Sequence, residues 1–548
     1  MNIGGGARFI SRTRRSSALP RRVVALLSLS GLALLVLAMT AEAAVPVPTV
    51  SIPAAGRGIA FDTTSIDLAN FGYTEHEFLV SGDAHAFVNT ATLGENGIWA
   101  AAPGVSSPFT TRILVRTPEN PADFNGTVIV EWLNVSGGVD AAPEWDYSHV
   151  ELLRSGYAWV GVTAQFDGAQ FLPEFDSVRY ASIFHPGDSF SYDIYSQGAQ
   201  AILQGNPRPL GALTPLVRRV LATGESQSAS RMMTYYNAVQ PVARVFNGFL
   251  IHSAGSGADL SQSLAGAGVL GGPSFPAPAG VPATPDIPVP PTAFIRGDLA
   301  QPVQFVNTET DITVLGAGFS VHNQPDSGTF RMWEIAGATH ADSYLLEFAG
   351  ADAAASGLPV PPFDCGNPPT NNGPAETFVL RAAFDALNRW TGIFRVPPPI
   401  GPRLATTTVT APEPEVLIDR NPATGNAIGG IQLPPMAVPI GTLTGIRPPA
   451  AVAANENCIL FGAASPWDGG ADPWDGVAGI DPAPFPAPSL AKLYGTKQNY
   501  VDKFAAATAS SIFQGFLLWA DVFEMIGLAE EAEVPQGSAN NAAIIPDP

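Results

Sequence analysis

Cysteine and positive charge are what this chain has least of. It holds two cysteines in 548 residues, Cys365 and Cys458. That is too few, and they lie too far apart, for a clustered thiolate metal site or a Cys-x-x-Cys redox pair. Basic residues number 27 against 48 acidic ones, a formal net charge of −21. Such a surface repels phosphate backbones and anionic lipid, so nucleic acid is excluded as a partner. The chain lacks a His-Glu-x-x-His helix and a glycine-rich loop ending in Lys-Ser or Lys-Thr, the usual signs of a zinc hydrolase and of a phosphate cradle. No cofactor and no metal are therefore expected. Past the first 43 residues no apolar run is long enough to span a bilayer, which predicts no stable membrane insertion once the leader is gone.

That leader is the first thing present. Arg8, Arg12, Arg14, Arg15, Arg21 and Arg22 precede an uncharged, mostly apolar run from Val23 to Thr40, and Ala41-Glu42-Ala43 follows. A basic start, an apolar stretch and a small-x-small site make residues 1–43 a signal peptide. The rival reading is an uncleaved anchor, against which the serines of the run and the cleavage site both count. The mature chain is expected to be secreted or periplasmic. Its net charge is more negative still, because the leader carries arginines and a single glutamate. In an oxidising compartment Cys365 and Cys458 are expected to pair as a disulfide.

Apolar strands then alternate with helical segments. Glu77–Phe87 and Thr110–Arg116 alternate as strands, and Thr127–Leu133 and Tyr157–Ala164 are almost wholly apolar, as buried parallel strands are. Arg219–Thr223, Val245–His252, Val303–Val306 and Arg331–Ala336 continue the series, with helical patterns at Tyr147–Arg154, Ile194–Leu203, Ala229–Val239 and Ala375–Trp390. This order predicts βαβ units and an α/β fold with a doubly wound, mostly parallel sheet. Residues 44–400 form the expected core, with a Gly/Pro-rich insertion at about 253–300. Residues 401–548 are an expected extension of the same folded unit. One long amphipathic helix is predicted there, with Ile512, Phe513, Phe516, Leu517, Ala520 and Phe523 on one face.

Gly224-Glu225-Ser226-Gln227-Ser228 sits between a strand and a helical segment. A serine flanked by small residues at such a turn exposes its hydroxyl above the sheet, as in an α/β-hydrolase nucleophile elbow. The second glycine of the usual pattern is here Ser228. Gly187-Asp188-Ser189-Phe190-Ser191 fits the template as well, but His185-Pro186 before it argues against a buried central strand. Ser226 is the candidate nucleophile.

Serine needs a base, and the base an orienting acid, in the chain order serine, acid, histidine. Of seven histidines, only His252, His322 and His340 follow Ser226. His340 lies in a small-residue loop after a predicted strand and is the candidate base. The strand Val303–Val306 runs into Asn307-Thr308-Glu309-Thr310-Asp311. Asp311 is the first candidate for the acid, and Glu309 is the alternative. Oxyanion donors are expected from the Gln227 amide and from the loop Asn134, Val135, Ser136, Gly137 and Gly138.

Several stretches together resemble a known family. Val130-Glu131-Trp132-Leu133-Asn134-Val135-Ser136-Gly137-Gly138 and Gly156-Tyr157-Ala158-Trp159-Val160-Gly161-Val162 are similar to signatures of bacterial alpha/beta hydrolase domain-containing proteins. So are His185-Pro186-Gly187-Asp188, the pentapeptide at Gly224, Ala336-Gly337-Ala338-Thr339-His340 and Gly425-Asn426-Ala427-Ile428-Gly429-Gly430-Ile431. The resemblance implies the α/β-hydrolase fold, and a triad of Ser226, His340 and Asp311 or Glu309. The expected activity is that of a serine hydrolase cleaving a small-molecule or polymeric carboxylic ester. An amidase or peptidase with the same triad and a non-catalytic hydrolase-fold binding protein are the alternatives. Two further features carry little. Asp468, Asp472, Asp475 and Asp481 lack the spacing of an EF-hand loop, and Asn134-Val135-Ser136 matches a glycosylation acceptor on a loop expected to face the site.

Overall fold

The strongest apolar runs of the sequence become the middle of one sheet. In the computed structural model, residues 45–532 and 534 are described, except 259–278, 283, 285–286, 317–320, 361–363, 367–368, 372–374, 411–414, 448–451, 453–454 and 468–489. The predicted leader, the middle of the predicted insertion and the acidic run at Asp468 to Asp481 lie outside the described residues.

The strands are β1 (Thr49–Ser51), β2 (Tyr73–Asn89), β3 (Ala101–Pro118), β4 (Thr127–Trp132), β5 (Ala158–Val162), β6 (Arg219–Glu225), β7 (Gly248–His252), β8 (Val303–Asn307) and β9 (Phe330–Glu334). They form a nine-stranded sheet in the order β1-β2-β3-β5-β4-β6-β7-β8-β9. β1, β2, β3 and β5 pair antiparallel in turn, and every later pairing is parallel. β4, β5, β7, β8 and β9 are buried along their whole length. Both faces of a parallel sheet are covered by its crossover helices, which is why these strands read as mostly apolar runs.

Alternate residues feed two cores. Ile129, Trp159, Leu221, Leu250 and Val306 pack with the helices Pro143–Arg154 and Ala375–Trp390, through Trp145, Leu152, Phe378 and Leu387. Val128, Val130, Val160, Ala222, Phe249 and Phe305 face the other way, against Tyr192, Ile202 and Met232 of the helices Ser191–Gln204 and Gln227–Thr234. The fold is an α/β-hydrolase sheet wound on both sides. From the predicted insertion, Ile287, Val289, Ala293 and Ile295 are buried in this second core.

The extension joins the first core. Leu443, Phe504, Phe516 and Met525 are buried with Phe378 and Leu387, and Arg381 holds Asp521 at 3.1 Å. Two hairpins that the sequence did not announce lie here, β10 (Thr406–Val409) with β11 (Glu415–Ile418) and β12 (Gly441–Thr444) with β13 (Ala463–Pro466). Cys365 and Cys458 are bonded, with Cα atoms 5.7 Å apart.

The single long C-terminal helix is corrected. The helix Lys497–Gln514 stops at Gly515, and a second one, Val522–Glu531, follows after a turn. Gly515 takes φ +84°. Its N–H donates to Ser511's neighbour Ile512 O at 3.0 Å and Phe516 N–H donates to Ser511 O at 3.0 Å, the paired bonds of a Schellman cap. Phe516 and Leu517 are turned into the core, while Phe513 (94% exposed) and Phe523 (86%) point outward. The predicted face is therefore split. The expected helix at Ala229–Val239 is also divided, into an α-helix Gln227–Thr234 and a π-turn Tyr235–Val239.

Candidate active site

β6 ends at Glu225, and the helix Gln227–Thr234 starts one residue later. No ordinary connection is that short, so the residue between takes the strain: Ser226 has φ 59° and ψ −120°. The elbow is held from three sides. Ser226 N–H donates to His252 O on the neighbouring strand β7 at 3.0 Å, and Ser230 N–H donates to Ser226 O at 3.0 Å. A Cβ added at Gly224 would stand 3.1 Å from the Ser228 carbonyl carbon, so a larger residue at position 224 would press on the first turn of the helix.

Ser228 accounts for the departure from the usual pattern. Its hydroxyl accepts from Glu225 N–H at 3.1 Å and donates to Glu225 O at 2.7 Å. The serine thus replaces the permissiveness of a glycine with two bonds that pin the turn. The rival, Ser189, is buried in a short 3-10 turn that follows no strand, with no hydrogen-bond partner for its hydroxyl among the described residues.

The other candidates come from loops at the carboxyl ends of β8 and β9. His340 Nε2 lies 2.6 Å from Ser226 Oγ, and His340 Nδ1 lies 2.7 Å from Asp311 Oδ1. Asp311 is fully buried and caps its own short helix. Thr308 N–H and Thr308 Oγ1 both donate to its Oδ2, at 2.7 and 2.8 Å. Burial pushes the Asp311 carboxyl up, but the bonds from His340 and Thr308 outweigh it and hold it below the usual carboxylate range. Burial likewise pushes His340 down, and is outweighed by the negative charges of Glu225 and Asp311, which leave it raised.

Glu309 is committed elsewhere. Its carboxylate accepts from Arg420 Nη2 at 2.9 Å, from Gly337 N–H at 2.7 Å and from Gly445 N–H at 3.1 Å. It braces the loop that carries His340 and makes no bond to the imidazole.

The Gln227 amide is the first of its helix, where no carbonyl of the helix is available to it. In the loop after β4 the five candidates divide. Asn134 N–H donates to Ala141 O at 2.9 Å, and Ser136 N–H donates to Asn134 Oδ1 at 2.7 Å. Gly138 N–H donates to Val135 O at 2.9 Å, and among the described residues the amides of Val135 and Gly137 have no hydrogen-bond partner. Asn134 contributes through its side chain, whose Nδ2 donates to both Glu225 O and Glu225 Oε2 at 3.1 Å. It ties the loop to the elbow.

A cavity of about 500 Å³ opens on Ser226 and His340. Ser136, Ser230, Ser253 and Ser256 give it a polar wall, and Val314, Leu315, Ile459 and Leu460 an apolar one. Sequence reasoning missed Ile459 and Leu460, which come from the extension beside Cys458. Leu460 O also accepts from Ala341 N–H at 3.1 Å and from Thr339 Oγ1 at 2.8 Å, bracing the residues on either side of His340. A buried group was missed as well: His252 Nε2 lies 2.8 Å from Glu376 Oε1 and its Nδ1 3.5 Å from Glu144 Oε1. Only the chain position of His252, one strand over from the nucleophile, pointed to it.

No curated protein matches the chain. A solved structure, described as that of the esterase Est22, is 11% identical over 34% of this chain, with a TM-score of 0.20. The match spans 46% of that chain's length, and at this similarity it carries no argument. The family described as "Alpha/beta hydrolase domain" matches residues 44–527. The chain belongs to the alpha/beta hydrolase domain family.

Proposed function

We propose that the protein is an exported serine hydrolase that cleaves carboxylic esters through an acyl-enzyme. The observation that carries this reading is the buried row Ser226 Oγ, His340 Nε2 at 2.6 Å and Asp311 at 2.7 Å from Nδ1. With Asp311 holding the Nδ1 proton, Nε2 is free to accept the serine proton as Oγ attacks the acyl carbon. The new C–O bond pushes charge onto the carbonyl oxygen, where the amides of Gln227, Val135 and Gly137 donate to it. The imidazolium then returns the proton to the leaving alcohol. Water repeats the sequence to release the acid. The basic leader with its Ala41-Glu42-Ala43 site and the Cys365–Cys458 bond support an oxidising compartment.

The test is turnover of p-nitrophenyl acyl esters beside matched anilides, with Ser226→Ala and His340→Ala variants. Ester hydrolysis lost in both variants is the expected result. Full activity in Ser226→Ala would refute the reading, and anilide turnover would move it to an amidase.

A further inference from the structure

His340 has a second carboxylate beside it that a three-residue relay does not use. Glu225 Oε1 lies 3.3 Å from His340 Nε2, the nitrogen that faces Ser226, and its side chain is 5% exposed. Its other oxygen, Oε2, accepts from Asn134 Nδ2 at 3.1 Å. The imidazole is thus flanked by Asp311 on Nδ1 and by Ser226 and Glu225 on Nε2, with Glu376 of the helix Ala375–Trp390 further off. Glu225 in turn feels His340, His252, Glu144 and Asp311. Asn134 would be satisfied equally by a glutamine, so its bond does not explain a charged group in this position.

We propose, on the serine-hydrolase reading above, that Glu225 is a positioning residue that holds the imidazolium of His340 by its Nε2–H while the acyl-enzyme forms and breaks down. When the Ser226 proton moves to Nε2 and the Oγ–C bond forms, the new N–H has two acceptors. One is the oxygen that will leave or has just attacked, and the other is Glu225 Oε1. Glu225 takes no proton in the step. The proton passes from Nε2 to the leaving alcohol as the acyl C–O bond breaks, and the charge of Glu225 is unchanged throughout.

Two opposed consequences follow from one charge. Glu225 stabilises the imidazolium that turnover requires, which lowers the barrier. It also stabilises the imidazolium of the resting protein, which withdraws the base at mildly acidic pH. Burial pushes the Glu225 carboxyl up to about 7, against the attraction of His340 and His252. With the carboxylate 3.3 Å from Nε2, the two groups titrate as a coupled pair.

The experiment is the pH profile of kcat/KM on a p-nitrophenyl ester, from pH 4 to pH 9, for the wild type and Glu225→Gln. Removing the charge is expected to move the acid limb about one pH unit lower and to cut the plateau about tenfold. Circular dichroism checks that the variant is folded. A plateau that falls with an unmoved acid limb means that Glu225 only props the elbow, and overturns the inference, as does a profile identical to the wild type. If Glu225→Gln does not fold, Glu225→Asp keeps the charge one methylene short, and its limb is expected to move the same way by less; an unmoved limb there also overturns it. Activity that survives Ser226→Ala refutes the parent reading instead, so the two failures are distinguishable.

Discussion

At the scale of single residues, the two carboxylates of the β8 loop have different work. Asp311 points at His340 and carries two bonds from Thr308, whereas Glu309 is held by Arg420 and two backbone amides. Asp311→Asn should leave the fold intact and lower kcat by about 10³–10⁴-fold, because an amide favours the wrong imidazole tautomer. Glu309→Gln should act on stability, since Arg420 would keep its charge with no carboxylate to meet it, and activity should fall only as folded protein is lost. Stopped assays on both variants, normalised to folded protein, check this; equal activity losses in the two would refute the division of roles. Sequence order alone narrowed the acid to these two residues and the base to His340, because so few histidines follow the serine. It had no means to separate Asp311 from Glu309, which lie two positions apart and differ only in the direction their helical turn points them. Nor did it indicate that Glu225 reaches the imidazole, since the neighbour of a nucleophile is placed by the twist of the elbow and not by spacing.

Among the elements, legibility followed the length of the apolar run. The central parallel strands were readable because burial on both faces makes most of their positions apolar. β1 is three residues long inside a proline-rich stretch, and β10 to β13 are four residues each; segments so short carry no periodicity to detect. The C-terminal helix was misread because helical spacing continues across Gly515, where one residue at positive φ reverses the chain. The extension still has a readable role through its disulfide. The bond closes a segment 93 residues apart in sequence, which contains the helix Ala375–Trp390, and it sits next to Leu460, whose carbonyl braces the His340 loop. Closing such a loop stabilises by up to about 4–5 kcal/mol in the chain-entropy model. Replacing both cysteines by serine should therefore lower the thermal midpoint by several degrees and reduce kcat/KM more than KM for a small ester changes. Thermal unfolding and kinetics of the double variant, beside wild type under reductant, test it. Unchanged unfolding in both would mean that packing alone holds the extension.

For the whole molecule, acidity outside and acidity inside act together. The surface is strongly anionic, yet several carboxyls are sealed in the core. Burial pushes Asp62 up to about 8 in spite of Arg116 and Arg112, and Glu376 up to about 8 in spite of His252. Burial pushes Asp342 up to about 7, the same level as Glu225. A carboxyl with a raised folded pKa holds its proton more tightly in the folded chain than in the unfolded one, where it titrates near ~4. The stability it contributes is full below about pH 4 and is lost as pH rises through 7 to 8. His252 and His340 are raised too and add in the same direction. Opposing them, burial lowers His149 to about 4, so its share of stability is present above its unfolded value and lost as pH falls through that range. Asp311, held low, loses its share at still lower pH. The thermal midpoint should therefore fall by several degrees from the mildly acidic side, about pH 5, toward pH 9. Self-repulsion of the anionic surface has the same sign at high pH, so the buried groups need their own control. Asp62→Asn supplies it, because Asp62 Oδ2 has no hydrogen-bond partner among the described residues and the substitution leaves the surface charge alone. The variant should be more stable than wild type at pH 8.5, nearly equal at pH 5, and visibly flatter in between. Parallel slopes for the two proteins would assign the whole dependence to the surface and none of it to the buried carboxyl.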